Sequence, residues 1–225
     1  MPDHIIAASP QTAERIRALG VYRGPITDAP NGIDLETIRS TYPDEAATDL
    51  VVVGRLMAHK RVDMLLDAVA LLHADGVPVT CRVIGDGPER LALHGHAHAL
   101  GIDHAIDFRH DIGEQKDLYA HMKAARVFVF PSAREGFGIA LLEALACGLP
   151  VVTTSAPDNL AKHIASRSSR STICDPSAPS IAAAVKHMLA QGGARSGDDA
   201  GIGESWLAEY SWETAADRVA EVLGI

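Results

Sequence analysis

Residues Arg126–Thr154 read RVFVFPSAREGFGIALLEALACGLPVVTT. The stretch opens with the apolar run Arg126–Phe130 and passes through a Pro/Ser/Gly loop. It continues as an apolar segment from Gly138 to Cys147, turns at Gly148, and resumes as a second apolar run, Leu149–Thr153. Runs rich in Val and Phe without polar alternation suit strands covered on both faces. A helix joining two such strands is a crossover unit, and the strands it joins are parallel.

The same alternation extends in both directions. Strand candidates are Leu50–Val53, Val77–Ile84, Ala105–Phe108 and Ser171–Cys174; helix candidates are Val62–Ala74, Arg90–Leu100, Glu114–Ala124 and Pro179–Ala190. In the first helix, Val62, Leu65, Leu66, Val69 and Leu72 share one face. This predicts an α/β fold: a doubly wound, Rossmann-like parallel sheet of about six strands within residues 48–190. A Gly/Ser/Asp-rich patch, Gly192–Gly203, then separates a helical tail, Ser205–Leu223. Residues 1–30 stand apart. His4–Ser9 reads as a strand, Thr12–Leu19 as a helix, and Gly24–Gly32 as a turn-rich linker. The expected organisation is therefore 1–30, a βα piece with a linker; 31–204, the sheet domain; and 205–225, a C-terminal helix.

Composition narrows the class. The chain has 225 residues, 47% apolar and 22% charged, as a globular protein with a core should. Disorder and a disulfide-stapled miniprotein are excluded. No run reaches the roughly 18 apolar residues of a membrane span. The start, MPDHIIAASP, lacks a basic n-region and an apolar h-region, so a cytoplasmic protein is expected. Lys and Arg total 20 against 29 Asp and Glu, a net charge of −9. That balance argues against general binding to nucleic acid or to an anionic membrane. Cys81, Cys147 and Cys174 lie in separate apolar runs and are expected to be reduced core thiols. The HGHAH run, with His94, His96 and His98, has no nearby carboxylate or Cys to complete a ligand set. It reads as a solvated helix face, and no metal site is expected.

In an open α/β sheet, ligands bind at the carboxyl ends of the strands. Three loops there carry glycine and charge. Gly54-Arg55-Leu56, followed by Lys60, sets two cations near a strand end and a helix start. That suits a diphosphate, though taken alone such a pair is more often a solvated turn. Gly85-Asp86-Gly87-Pro88 reads first as a tight turn with Pro88 at a helix start. Neither GxGxxG nor GxxxxGK[ST] occurs, which counts against a nicotinamide dehydrogenase and a P-loop ATPase. In the third loop, Glu135-Gly136-Phe137-Gly138, glycines let backbone N–H groups approach a ligand, and the following helix aims its N-terminus at the same place. Glu143 sits within IALLEALA. A buried, unpaired carboxylate there would cost several kcal/mol, so its partner is another side chain or the hydroxyls of a ligand.

With Glu135 and Glu143 eight positions apart, EGFGIALLE resembles the Glu-x7-Glu signature of the retaining GT-B glycosyltransferases of the large group-1 family. Other blocks agree in order and spacing: PNGID, GRLMAHK, VIGDGP, VFVFPSAREGFG, LLEALACGLPVV and a late helix with Trp212. The resemblance covers nearly the whole chain and implies the C-terminal half of a GT-B fold, which binds a UDP- or GDP-sugar donor. It implies that Arg55 and Lys60 neutralise the diphosphate without a metal ion, so that no cofactor is needed. Glu135 would orient the donor sugar, and Glu143 would accept hydrogen bonds from the ribose. Gly136, Phe137 and Gly138 would support the phosphates, while Gly54, Gly85 and Gly87 would line the cleft. Catalysis would rest on Glu135, Arg55 and Lys60, with retention of configuration by same-face attack.

The chain departs from the family pattern in three places. His163 stands where a Glu is common. Ser166-Arg167-Ser168-Ser169-Arg170 replaces a glycine-rich loop. Arg109-His110-Asp111 follows Phe108 where a glycine is usual and where the base would sit. PNGID, at residues 30–34, marks the crossing into the second domain of the family. Residues 1–30 thus resemble only the last βα unit of a first domain. Two readings follow. One is an enzyme half that works with an acceptor-domain partner chain, through which any peripheral membrane association would come. The other is a nucleotide-sugar-binding module or remnant with no transferase activity of its own. A nucleotide-sugar epimerase fits the Glu-x7-Glu context less well.

Overall fold

The computed structural model describes residues 2–192 and 204–225. The chain begins with β1 (Ile5–Ala7), α1 (Pro10–Ala18), β2 (Ile26–Asp28) and α2 (Leu35–Ser40). The central alternation follows as β3 (Thr48–Val53), α3 (Val62–Ala74), β4 (Cys81–Ile84), α4 (Arg90–Ala99), β5 (Ile106–Arg109), α5 (Gln115–Lys123) and β6 (Ala125–Phe130). It continues through β7 (Arg134–Glu135), α6 (Ile139–Ala146), β8 (Val151–Thr154), β9 (Asp158–Asn159), α7 (Ala161–Ala165), β10 (Ser171–Cys174) and α8 (Ala178–Ala190). A 3-10 turn, Ser205–Tyr210, leads into α9 (Trp212–Leu223).

Six strands form one sheet in the order β10-β8-β6-β3-β4-β5, and every pairing is parallel. Alternate residues of each strand serve opposite cores. Leu50 and Val52 of β3 join α3, α4 and α8 on one face. Val51 and Val53 join α2, α5 and α6 on the other. This double coverage is why the strands read as unbroken apolar runs. The five residues of the predicted face of α3 are all buried: Val62, Leu65, Leu66, Val69 and Leu72. The chain runs β3-β4-β5 toward one edge, then returns to the other side of β3 with β6. The resulting switch point opens a crevice between the carboxyl ends of β3 and β6.

Residues 1–30 differ from the expectation of a lone βα piece with a linker. Ile26–Asp28, inside the stretch read as turns, is a second strand paired in parallel with β1, Ile5 against Ile26. Three residues between Pro25 and Pro30 give no periodic signal, and β2 forms only because α1 returns the chain beside β1. Ser9 caps α1, its side chain accepting from the Thr12 N–H at 3.1 Å. The tail also differs from one continuous helix. Ser211 is extended and caps α9 by accepting from the Thr214 N–H at 3.1 Å, which ends the preceding turn at Tyr210. Inbound and outbound chain meet here, with the Ile33 N–H donating to the Tyr210 carbonyl at 2.8 Å. Gly32 is required at this crossing, since a Cβ would lie 2.9 Å from the Trp212 Cα. Most of the predicted Gly192–Gly203 patch, residues 193–203, lies outside the described residues.

Candidate functional site

The first cationic loop leaves β3 at Gly54, whose φ of +151° suits glycine. A single 3-10 turn, Ala58–Lys60, then ends at Arg61 with φ +53°, the one non-glycine residue with positive φ among the described residues. Left-handed backbone at a bulky residue is costly and tends to mark functional sites. Here it delivers Lys60 to the crevice immediately before α3 starts. The Ala133 N–H donates to the His59 carbonyl at 2.8 Å, tying this loop to the one that follows β6. Lys60 lies 5.2 Å from the Phe130 ring centroid and pairs through Nζ with the Glu135 carboxylate. Both side chains of that pair are mostly buried, at 20% and 18% exposure. Arg55 is exposed beside them and makes no ion pair with another described residue.

Glu135 is positioned from behind. It belongs to the short strand β7, which pairs with β9, and its carbonyl accepts from the Leu160 N–H at 2.9 Å. Asn159 anchors β9, its buried amide donating to the Thr154 carbonyl at 2.9 Å and the Thr153 hydroxyl at 3.1 Å. Gly138 opens α6 at φ +97°, and a Cβ there would lie 2.4 Å from the Ala161 Cβ. Only glycine therefore lets α6 start against α7 with its N-terminus beside Glu135. Gly136 has open space around its Cα, while the Phe137 side chain is buried against Tyr210. The N-terminal unit flanks this loop, with Thr12 donating to the Gly136 carbonyl at 3.4 Å and Arg15 reaching Asp158 at 3.1 Å.

Glu143 is buried in α6 at 6% exposure. Its Oε1 accepts from the Tyr119 hydroxyl at 2.9 Å and from the Gln115 amide at 2.8 Å. Gln115 also donates to the Tyr119 oxygen at 2.8 Å, so the three groups form a closed triangle. The partner required by the sequence is thus a pair of side chains one turn apart on α5. Among the described residues nothing donates to Oε2. Burial raises the Glu143 carboxyl above its ordinary range, and the bonds from Tyr119 and Gln115 partly oppose that rise. Burial, with Glu143 close by, also raises the Tyr119 phenol.

Gly85 and Gly87 have separate duties. A Cβ on Gly85, at φ +140°, would lie 2.0 Å from the Gly54 carbonyl oxygen. Gly85 and Gly54 together line a cleft at the ends of β3, β4 and β5. Gly87 does not line it. Its Cα faces Leu56, whose carbonyl oxygen would lie 2.3 Å from a Cβ, so Gly87 closes the two loops on each other. Predicted residues Gly54, Arg55, Lys60, Gly85, Glu135, Gly136, Gly138 and Glu143 thus gather at the carboxyl ends of β3, β4 and β6 and the start of α6. Sequence reasoning did not reach Gln115 and Tyr119. Their i, i+4 spacing on a predicted helix was visible, but nothing local ties them to Glu143. His163 is exposed on α7. Arg167, in the departing loop, stacks 4.4 Å from the Trp206 ring and donates to the Tyr210 hydroxyl at 2.9 Å and to Glu209 at 3.1 Å. It fastens the tail to the sheet domain. The HGHAH side chains are engaged singly, His94 stacking on Phe108 and His96 bonding Asp67 at 2.7 Å.

A parallel sheet with a glycine-floored crevice, two cations and a helix N-terminus at its switch point has the Rossmann-like architecture of one half of a GT-B fold. Solved structures share it. Sucrose-phosphate synthase from Thermosynechococcus elongatus superposes with TM-score 0.83 at 24% identity, over 100% of this chain and 58% of that one. Anabaena HepE in complex with UDP gives TM-score 0.81 at 19% identity, over 100% and 64%. Residues 36–197 match the family model described as glycosyl transferases group 1, and the chain belongs to that family. Among curated proteins it is 30% identical over 247 residues to D-inositol 3-phosphate glycosyltransferase 2 of Catenulispora acidiphila, covering 98% of this chain and 55% of that one. It is 34% identical over 134 residues to the GDP-mannose-dependent alpha-(1-6)-phosphatidylinositol dimannoside mannosyltransferase of Mycobacterium tuberculosis, covering 56% and 34%. The chain spans about half the length, or less, of these two curated relatives. Among the described residues, no helix is long and apolar enough to cross a membrane.

Proposed function

We propose that this chain is the donor-binding half of a glycosyltransferase, moving a hexose-type sugar from a nucleoside diphosphate sugar to an acceptor with retention of configuration. The observation that carries this reading is the Lys60–Glu135 pair at the mouth of α6, within a family-matched domain. A cation and a carboxylate facing each other can exchange partners. Lys60 turns to the diphosphate, and Glu135 turns to the hydroxyls of the donor sugar. Arg55 supplies the second positive charge as the leaving diphosphate gains negative charge, a task that needs no metal ion. The N–H groups from Gly136 to Gly138 and the α6 dipole favour the same anion. Glu143 Oε2 accepts from the ribose hydroxyls. Relatives named for GDP-mannose and neighbours solved with UDP support a nucleotide-sugar donor.

An acceptor-binding domain completes the enzyme. Trp212, Ala216, Val219 and Leu223 of α9 and Ile6 of β1 line an open apolar groove of about 650 Å³. Trp212 and Leu223 are 60% and 61% exposed, a patch that suits a packed neighbour. The test is a thermal-shift screen of nucleotide sugars, followed by a transfer assay with and without an added acceptor domain. Stabilisation by nucleotide sugars, with turnover only in the presence of that domain, is expected. Sugar transfer by the chain alone would overturn the half-enzyme reading.

A further inference from the structure

Beside the crevice, the ends of β4 and β5 and the start of α5 enclose a cleft of about 280 Å³. Ile112 and Leu118 give it apolar walls, and Arg109 and Glu114 give it one charge of each sign. Gln115, which holds Glu143, lies in the same lining. Resting on the donor-site reading above, a ribose at Glu143 places its base in this cleft.

Arg109 is tethered at one end. Its Nε donates to Asp107 Oδ1 at 2.8 Å, and Asp107 Oδ2 accepts from the Arg82 Nε at 2.8 Å. Arg82 is buried and also meets His121 Nδ1 at 3.2 Å. The two Nη groups of Arg109 make no hydrogen bond to another described residue. Arg109 lines the cleft, and its tether through Nε leaves both Nη groups as a planar fork of donors.

Such a fork discriminates between bases. Guanine offers two adjacent acceptors, O6 and N7, which match it. On the neighbouring edge guanine offers two adjacent donors, N1–H and the N2 amine, which match a carboxylate. Uracil has a single N3–H between two carbonyl oxygens, so a carboxylate gains one bond and faces two repulsive lone-pair sets. Adenine sets an amine beside N7, against the positive fork. We propose that this chain selects a guanosine diphosphate donor, with Arg109 reading O6/N7 and Glu114 reading N1/N2.

Calorimetric titration with GDP, IDP and UDP, at one pH and salt concentration, tests the assignment. GDP is expected to bind about tenfold tighter than UDP, the size of one well-made bidentate contact. IDP, which lacks the N2 amine, falls between them. Arg109→Ala should remove most of the GDP preference, leaving only the part that Glu114 supplies, while moving UDP less than twofold. Glu114→Ala should make GDP and IDP equal. UDP binding as tightly as GDP, or Arg109→Ala weakening both by the same factor, overturns the base assignment and leaves the donor site standing. Binding of none of the three overturns the donor-site reading and the base assignment together.

Discussion

Replacing Glu143 separates what its carboxylate does for the fold from what it does for a ligand. Glu143→Ala removes the acceptor for the Tyr119 hydroxyl and for one Gln115 donor, both bonded at under 3 Å. An orphaned buried donor costs roughly 1–3 kcal/mol. Taking about 2 kcal/mol, a domain of this size loses about 4–8 °C in Tm. Glu143→Gln behaves differently, because its amide oxygen can take the place of Oε1 and satisfy both donors. The sign of the pH effect follows from burial. The folded pKa of Glu143 lies above its ordinary value of 4.5, so its contribution is fully present below the unfolded pKa and is lost as pH rises through the folded pKa. The Gln variant has no charge to bury. Its stability relative to wild type should therefore rise from acid toward neutral pH, making it at least as stable at pH 7. Nucleoside diphosphate binding should still fall about tenfold, because an NH2 in place of Oε2 cannot accept from ribose hydroxyls. Chemical denaturation at pH 4 to 8, beside calorimetry, reads both quantities. A Gln variant that is much less stable than wild type at pH 7, or that binds nucleotide normally, would refute this account of Glu143.

Further outcomes follow from neighbouring groups. Glu135→Gln releases Lys60 from its ion pair. Affinity for a bare nucleoside diphosphate should rise a few-fold in titration while the preference for the sugar-bearing form disappears; unchanged affinity would mean the pair does not compete with phosphate. Gly138→Ala, with a positive φ and a Cβ 2.4 Å from that of Ala161, should lower Tm by several degrees, whereas Gly136→Ala, with open space around it, should leave Tm unchanged in a thermal melt. Burial pushes the Cys81 and Cys147 thiols up to about 12 and Cys174 to about 11. Native protein at pH 8 should resist alkylation at all three by mass spectrometry until denaturant is added.

The sheet was legible because its strands are covered on both faces. LVVV at Leu50–Val53 and the run to Phe130 can only be interior, and the helices between them carry a clear apolar stripe. The short elements β2, β7, β9 and α7 were not legible. β7 and β9 exist because Asn159 is fastened to Thr153 and Thr154, and β2 exists because α1 returns the chain to β1. Glycines and charges beside strand ends marked loops that the fold brings together at the carboxyl ends of β3, β4 and β6. What they could not mark was pairing across the fold. Lys60 and Glu135 are 75 residues apart, and Glu143 is 24 from Tyr119. Such contacts depend on the order β6-β3-β4 in the sheet, which no local pattern encodes. Gly87 shows the converse, a glycine next to the cleft whose duty is loop packing against Leu56.

The most direct measurement is calorimetry of GDP and UDP against wild type and Lys60→Ala, with the melting temperature of each protein recorded. Saturable one-to-one binding to wild type is predicted, with a loss of at least tenfold in affinity in the variant, measured well below a Tm that falls because Glu135 loses its partner. Failure of wild type to bind either nucleotide at millimolar concentration, or equal affinity in the variant, would contradict it.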